Sequence, residues 1–535
     1  MQLICNTNIN GDISFNKKHK LKTIILATLT WGLIAHAYIL FNEIAYHDAA
    51  INISSVGASI ISGRWMLKVM YFISESLFLE GIFATPVING LFTLAVLGVI
   101  IYIISEMFDI KQTKSLVLLS GCLVVFPQVT CMMFYMYTAP YYALGCLMGV
   151  CGVSMLKKKI NIKRIICAVV LMTCSVGTYQ ASIPVILSLM VLSLIHEEML
   201  LCDSENKAPG KKWLNNWAIY VGCFVICMVL YFVVTKITLK ITHNVLTDYQ
   251  NINSFGMCSF SEYIDRILFA YKEFMIPAKG TQREMFPFLA NALHTIVIIL
   301  IFGIQLLDIS RKWKNEKLGC IRTLVLMLLF PLAANFIFVM CEVKWIHGIM
   351  MYSQAMIFVY LIMLLDHTRI EINSKWITQK NIRRFICILL LFLNFLYCRF
   401  SNMCYIKAEI TQTRYLDYME TLSNTIVSLE DYDKDVPVAY IGDLKKTNLF
   451  DYMNDQLAAI RLHPYDVISS LDGRTWINDY AWKETMALWC GFSPVLVDNT
   501  YEWEQLEEVK NMPVYPKTGS VRMVNGAVVV KFSEN

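Results

Sequence analysis

Charge is what this chain is short of. Only 16% of its 535 residues are Asp, Glu, Lys or Arg, against about a quarter in soluble globular proteins, and the mean hydropathy is +0.52. A water-soluble body is therefore excluded for most of the length. Zinc-ligand spacing is missing as well. Seventeen cysteines are present, but none forms a CxxC pair or a Cys/His cluster, and most lie in apolar stretches where cysteine behaves as a small hydrophobe. Only Cys258 and Cys490 read as outward-facing, and an isolated pair without a disulfide framework is expected to be two free thiols. No internal repeat is evident, which argues against a solenoid and against the repeat-built body of many transporters. The net charge of +5 is scattered over short loops, so nucleic acid is not an expected partner. No small-residue cleavage site follows the first apolar segment, which is expected to remain as a signal anchor.

What is present is hydrophobic length. Windows of about 20 apolar residues, enough to cross roughly 30 Å of hydrocarbon, recur from Thr23 to Tyr405 and then stop. They predict eleven spans, at 23–41, 83–105, 115–134, 139–156, 164–182, 184–200, 215–235, 288–307, 321–341, 347–366 and 385–405. Every second connection is basic. Lys17 to Lys22, Lys111 and Lys114, Lys157 to Arg164, Lys207 to Lys212, Arg311 to Arg322 and Arg369 to Arg384 fall on one side. The cation bias places that side and the N-terminus (1–22) in the cytoplasm. An odd number of spans then puts the C-terminal region outside.

The expected fold class is an all-α polytopic membrane domain, 23–406, followed by a small extracytoplasmic α/β domain, 407–535. That tail carries 12 basic against 20 acidic residues. It reads as a helix over Ala408 to Leu429, a strand over Val436 to Ile441, a helix over Lys445 to Ile460, a strand over Pro494 to Val497, and a hairpin turning at Asn525-Gly526. Two long outward loops, 42–82 and 236–287, contain amphipathic stretches, Val56 to Phe78 and Phe260 to Phe274, expected to lie along the membrane surface. The cytoplasmic connections are too short for a catalytic domain, so any chemistry faces outward.

The ionisable residues gather at the first outward loop: Glu43, His47, Asp48, Arg64, Lys68, Glu75 and Glu80. An enzyme transferring a sugar from a lipid phosphate needs a base near the outer water boundary to take the acceptor proton. It also needs fixed positive charge for the departing phosphate. Asp48 is the candidate base, or else a cap for the helix that follows. His47 is its neighbour, either a substrate partner or structural. Arg64 and Trp65 are candidates for phosphate and substrate binding, or a snorkelling anchor with an interfacial indole. Lys344 and His347, in a very short outward loop, form a second candidate phosphate group, with Lys344 alternatively snorkelling. Arg283 is a third, weaker candidate. Two tyrosine- and proline-marked turns, containing Tyr141 and Tyr179-Gln180, read as an aromatic belt or as sugar contacts; Gln180, an amide at a span end, needs hydrogen-bond partners.

Taken together, the carboxylate loop after the first span, Gly63-Arg64-Trp65, the Tyr179-Gln180 turn and the closing outward domain resemble the Gtr type II glucosyltransferase family, bacterial membrane enzymes of the GT-C class. The resemblance implies a hexosyltransferase of the bacterial cytoplasmic membrane. It would take glucose from a polyprenyl-phosphate donor and add it to a surface polysaccharide such as O antigen, or to a lipid-linked oligosaccharide, with Asp48 in the place of the essential acid. GT-C enzymes commonly carry an acidic pair there, and here His47 stands in the preceding position. A lone carboxylate beside a histidine disfavours a divalent metal, so no cofactor is expected. The competing expectation is a flippase or transporter of lipid-linked glycans.

Overall fold

The apolar windows fold as helices because, inside a bilayer, a lone segment can satisfy its backbone N–H and C=O groups only within itself. The computed structural model describes residues 17–44, 52–53, 57, 60–78, 84–157, 161–203, 210–247, 258–278, 281, 286–343, 346–368, 378–442 and 480–534. Along the chain run α1 (Lys17–Phe41), α2 (Trp65–Phe78), α3 (Pro86–Met107), α4 (Thr113–Val124), α5 (Pro127–Phe134), α6 (Ala139–Lys157), α7 (Ile162–Thr178), α8 (Ser182–Asp203) and α9 (Gly210–Ile241). There follow α10 (Phe260–Met275), α11 (Phe288–Lys312), α12 (Lys317–Ala334), α13 (Ile337–Met340), α14 (Met356–His367) and α15 (Gln379–Val427).

Nine of these helices are long and apolar enough to cross a membrane among the described residues, and ten if α4 and α5 count as one bent span. The chain is built as a multi-pass membrane protein. The sequence reading of eleven differs at α7, which is only 17 residues long. Leu26, Ile88, Val229 and Ile388 are exposed on their apolar helices, as side chains facing lipid would be. The α4–α5 span bends by 47° at Phe126-Pro127, because proline lacks an N–H and blocks the helix preceding it. Carbonyls loosened by the break find donors: His36 Nε2 lies 3.0 Å from the Val124 oxygen, and the Tyr352 hydroxyl donates to Leu123 at 3.1 Å.

The last predicted span and the polar helix after it are one continuous helix of 49 residues. The composition turns polar near residue 407, but no Gly or Pro lies between 379 and 427, so nothing stops the helix where the apolar window ends. Its far end, at Tyr418, Met419, Leu422 and Ile426, forms the core of the tail with Val438, Trp482, Val528 and Phe532. A three-stranded sheet, β1 (Val438–Ile441), β2 (Val521–Val524) and β3 (Ala527–Lys531), has the order β1-β3-β2, with β1 parallel and β2 antiparallel to β3. The expected hairpin is present, with Asn525 and Gly526 at φ of 46° and 81°, the left-handed pair that a two-residue turn demands. The expected strand at Pro494 to Val497 contributes one parallel bridge, Leu496 to Val438. Three short helices, α16 (Tyr480–Trp489), α17 (Tyr501–Glu504) and α18 (Glu507–Lys510), complete the tail, while the predicted helix at Lys445 to Ile460 lies outside the described residues. Cys258 and Cys490 are free thiols, and burial pushes the Cys490 thiol up, with the nearby Glu420 charge adding to it.

Candidate functional site

One end of the helix bundle gathers the connections α1–α3, α5–α6 and α7–α8. Contacts across it include Asn89 Nδ2 donating to the Met136 carbonyl at 2.8 Å and the Tyr141 hydroxyl donating to Ser74 at 2.9 Å. The chain enters this surface through a single 3-10 turn, Ile60–Ser62, closed by the Gly63 N–H donating to the Ile60 carbonyl at 2.9 Å. Gly63 has φ +74°, and a Cβ there would fall 2.6 Å from the Tyr231 hydroxyl and 3.1 Å from Gln180 Nε2. Only glycine fits the conformation and the space. Gln180 ties the turn down, its Nε2 donating to the Ser62 carbonyl at 2.7 Å and to the Tyr231 hydroxyl at 2.9 Å.

With the turn fixed, Arg64 is aimed. Its Nη1 donates to the Tyr142 hydroxyl at 3.2 Å, and its guanidinium lies 4.8 Å from the centroid of the Tyr179 ring. Tyr179 and Tyr142 are themselves stacked, with centroids 4.4 Å apart and planes 18° from parallel. A planar cation held over one phenol and bonded to its neighbour is geometrically defined, which a freely snorkelling side chain is not. Trp65 opens α2 with its indole against α7 at Gly177, where a Cβ would lie 2.4 Å from Trp65 Cε2.

The residues read separately from the sequence as Arg64, Trp65, Tyr179 and Gln180 thus form one assembly. Tyr141 stands beside it, holding α2 through Ser74. Glu43 is exposed elsewhere at this end, lining a small cavity with Asn42, Ile53, Pro86 and Met133; its carbonyl accepts from Gln412 Nε2 of α15 at 3.0 Å. His347 precedes the 3-10 stretch Gly348–Ala355, half-buried, with its backbone N–H directed at Met350 Sδ. Asp48, His47, Lys344 and Arg283 lie outside the described residues.

Sequence reasoning missed three partners. Tyr142 adjoins the quoted Tyr141 and was within reach of the turn reading. Tyr231 sits in the middle of an apolar span and bonds a residue 51 positions away, for which one sequence carries no signal. Gln128 follows the proline that breaks a span, and that interruption is the signal that points to membrane binding sites. Together with Tyr142, Tyr179, Ser182 and Tyr352, Gln128 lines a partly open cavity of about 40 Å³. A fixed cation bonded to a tyrosine that lines this cavity is an arrangement able to meet a phosphorylated sugar.

The family model described as glucosyl transferase GtrII matches residues 37–359, more than half of the chain and all of the assembly around Arg64. No curated protein and no solved structure matches.

Proposed function

The chain belongs to the glucosyl transferase GtrII family, and we propose that it moves a glucosyl group from a polyprenyl-phosphate donor to a glycan acceptor at the outer face of a bacterial cytoplasmic membrane. The activity class comes from the family. The observation that supports the donor assignment is the Arg64 guanidinium, held by Tyr142 and Tyr179, both of which line the cavity. Placement at the outer face rests on the lysine and arginine bias of the opposite connections.

The reaction is a single in-line displacement with inversion. An acceptor hydroxyl oxygen forms the new bond to the anomeric carbon while the bond from that carbon to the phosphate oxygen breaks. The proton passes to the Asp48 carboxylate, and the electron pair leaves on polyprenyl phosphate, whose charge Arg64 stabilises. Lys344 is positioned in the sequence to add a second positive charge. A monophosphate leaving group is a modest charge for one or two side-chain cations to meet, so the mechanism is written without a metal.

Purified full-length protein in detergent, given polyprenyl-phosphate-glucose and acceptor glycan, is expected to release polyprenyl phosphate and glucosylate the acceptor. Carriage across a membrane needs a sealed compartment and transfer does not. An intact donor after incubation with folded protein in detergent, together with movement of the same donor across proteoliposomes, would assign the chain to the carriers instead.

A further inference from the structure

Gln128 is 1% exposed, and neither its Nε2 nor its Oε1 has a hydrogen-bond partner among the described residues. An unpaired buried polar group destabilises the fold, so this amide, with two such atoms, is poorly suited to a purely structural role. A leucine or methionine of similar volume would fill the position without that cost. The amide is suited to a partner that comes and goes.

The cavity it lines indicates the chemistry of that partner. Leu97, Met132, Val185 and Ile349 form an apolar wall, and the hydroxyl-bearing Tyr142, Tyr179, Tyr352 and Ser182 face the remaining space. No cation lines it among the described residues; Arg64 of the assembly is joined to the lining through the Tyr142 hydroxyl. An isoprenoid chain would leave the Gln128 amide unpaired, and a phosphate would find no positive charge among the described lining residues. A pyranose suits both halves, since its C–H faces pack on apolar and aromatic surfaces while its hydroxyls, each donor and acceptor, pair with an amide and phenols. Tyr352 already donates to the Leu123 carbonyl, which leaves its oxygen as an acceptor towards the cavity.

Building on the function proposed above, we infer that this cavity holds the hexosyl group of the donor, and that the Gln128 amide reads one of its hydroxyls. The donor would lie with its phosphate at Arg64 and its sugar behind the Tyr142–Tyr179 pair. Gln128 is then a determinant of which sugar is transferred, because a site that hydrogen-bonds a substrate hydroxyl discriminates strongly against the analogue lacking it.

The test uses the full-length protein in detergent with polyprenyl-phosphate-glucose and a panel of donors deoxygenated singly at the 2, 3, 4 and 6 positions of the sugar. Gln128→Leu is expected to lower kcat/KM for the glucose donor roughly tenfold to a hundredfold. With one deoxy donor, the one missing the hydroxyl that Gln128 reads, wild type and Gln128→Leu should be nearly equal. Thermal melting of Gln128→Leu should match or exceed wild type, since the substitution removes unpaired polar atoms. An equal loss on every donor, or a lowered melting temperature with no donor showing the convergence, overturns the subsite and makes Gln128 structural. Wild-type protein that transfers glucose normally while the panel shows no convergence defeats this inference alone. Wild-type protein inert to every donor defeats the function and the subsite together.

Discussion

Arg64 offers the sharpest division between a chemical and an anchoring role. Its guanidinium donates to the Tyr142 hydroxyl at 3.2 Å and lies 4.8 Å from the centroid of the Tyr179 ring. The ring contact is worth about 0.5–2 kcal/mol and is present with or without substrate. Charge-assisted hydrogen bonds to a leaving phosphate are worth about 1.5–3 kcal/mol, and they strengthen as negative charge develops on that group. Replacement by methionine keeps most of the aliphatic stem and removes the charge, so Arg64→Met should lower kcat by roughly tenfold to a hundredfold or more. Arg64→Lys keeps the charge but cannot reproduce a flat fork stacked on Tyr179 while bonded to Tyr142, and should fall between Met and wild type. The assay is single-turnover transfer from polyprenyl-phosphate-glucose, with melting temperature as a check that each variant is folded. A snorkelling anchor would be served equally well by lysine. Wild-type rates in Arg64→Lys, or a folded Arg64→Met within about threefold of wild type, would refute the phosphate-holding role.

Other expectations follow from the same geometry. Gly63→Ala places a Cβ 2.6 Å from the Tyr231 hydroxyl at a φ of +74°, and should reduce transfer and lower the melting temperature; adding Tyr231→Phe removes the clashing oxygen and should recover part of the loss, as paired melting curves would show. Tyr179→Leu removes the platform under Arg64 and should raise KM for the donor more than Tyr142→Phe does, which steady-state kinetics would separate. Arg322 forms a two-pronged pair with Glu198, at 3.0 and 2.9 Å, and Glu198 has no exposed surface. Arg322→Met strands a buried carboxylate and should destabilise by about 3–5 kcal/mol, whereas the double change Arg322→Met with Glu198→Met should restore most of that; thermal melts in detergent provide the check.

Spans, amphipathic helices and the terminal hairpin were legible because each depends on local pattern: apolar length, period, and Asn525-Gly526 between apolar strands. The break at Phe126-Pro127 was passed over because the surrounding window is apolar enough to average out a proline. Where α15 continues past the membrane window, hydropathy changed but helix propensity did not, and only the first was read as a boundary. At the site, Arg64, Trp65, Tyr179 and Gln180 could each be picked out as a polar or aromatic residue near a span end. Their assembly could not, because Gln180 reaches Ser62 across 118 residues and Arg64 reaches Tyr142 across 78. Such pairings are set by how α7, α9 and the Ile60–Ser62 turn pack, which no single sequence states.

The proposed glucosyl transfer depends on a base in the loop that joins α1 to α2, and Asp48 is the residue assigned to that role. The most direct measurement is the transfer rate of Asp48→Asn against wild type, using purified, folded protein and labelled polyprenyl-phosphate-glucose with its acceptor glycan. The amide keeps the shape and loses the base, so the rate should fall by about a hundredfold or more while donor binding persists. Transfer by Asp48→Asn at a rate near wild type would remove Asp48 from the role of base.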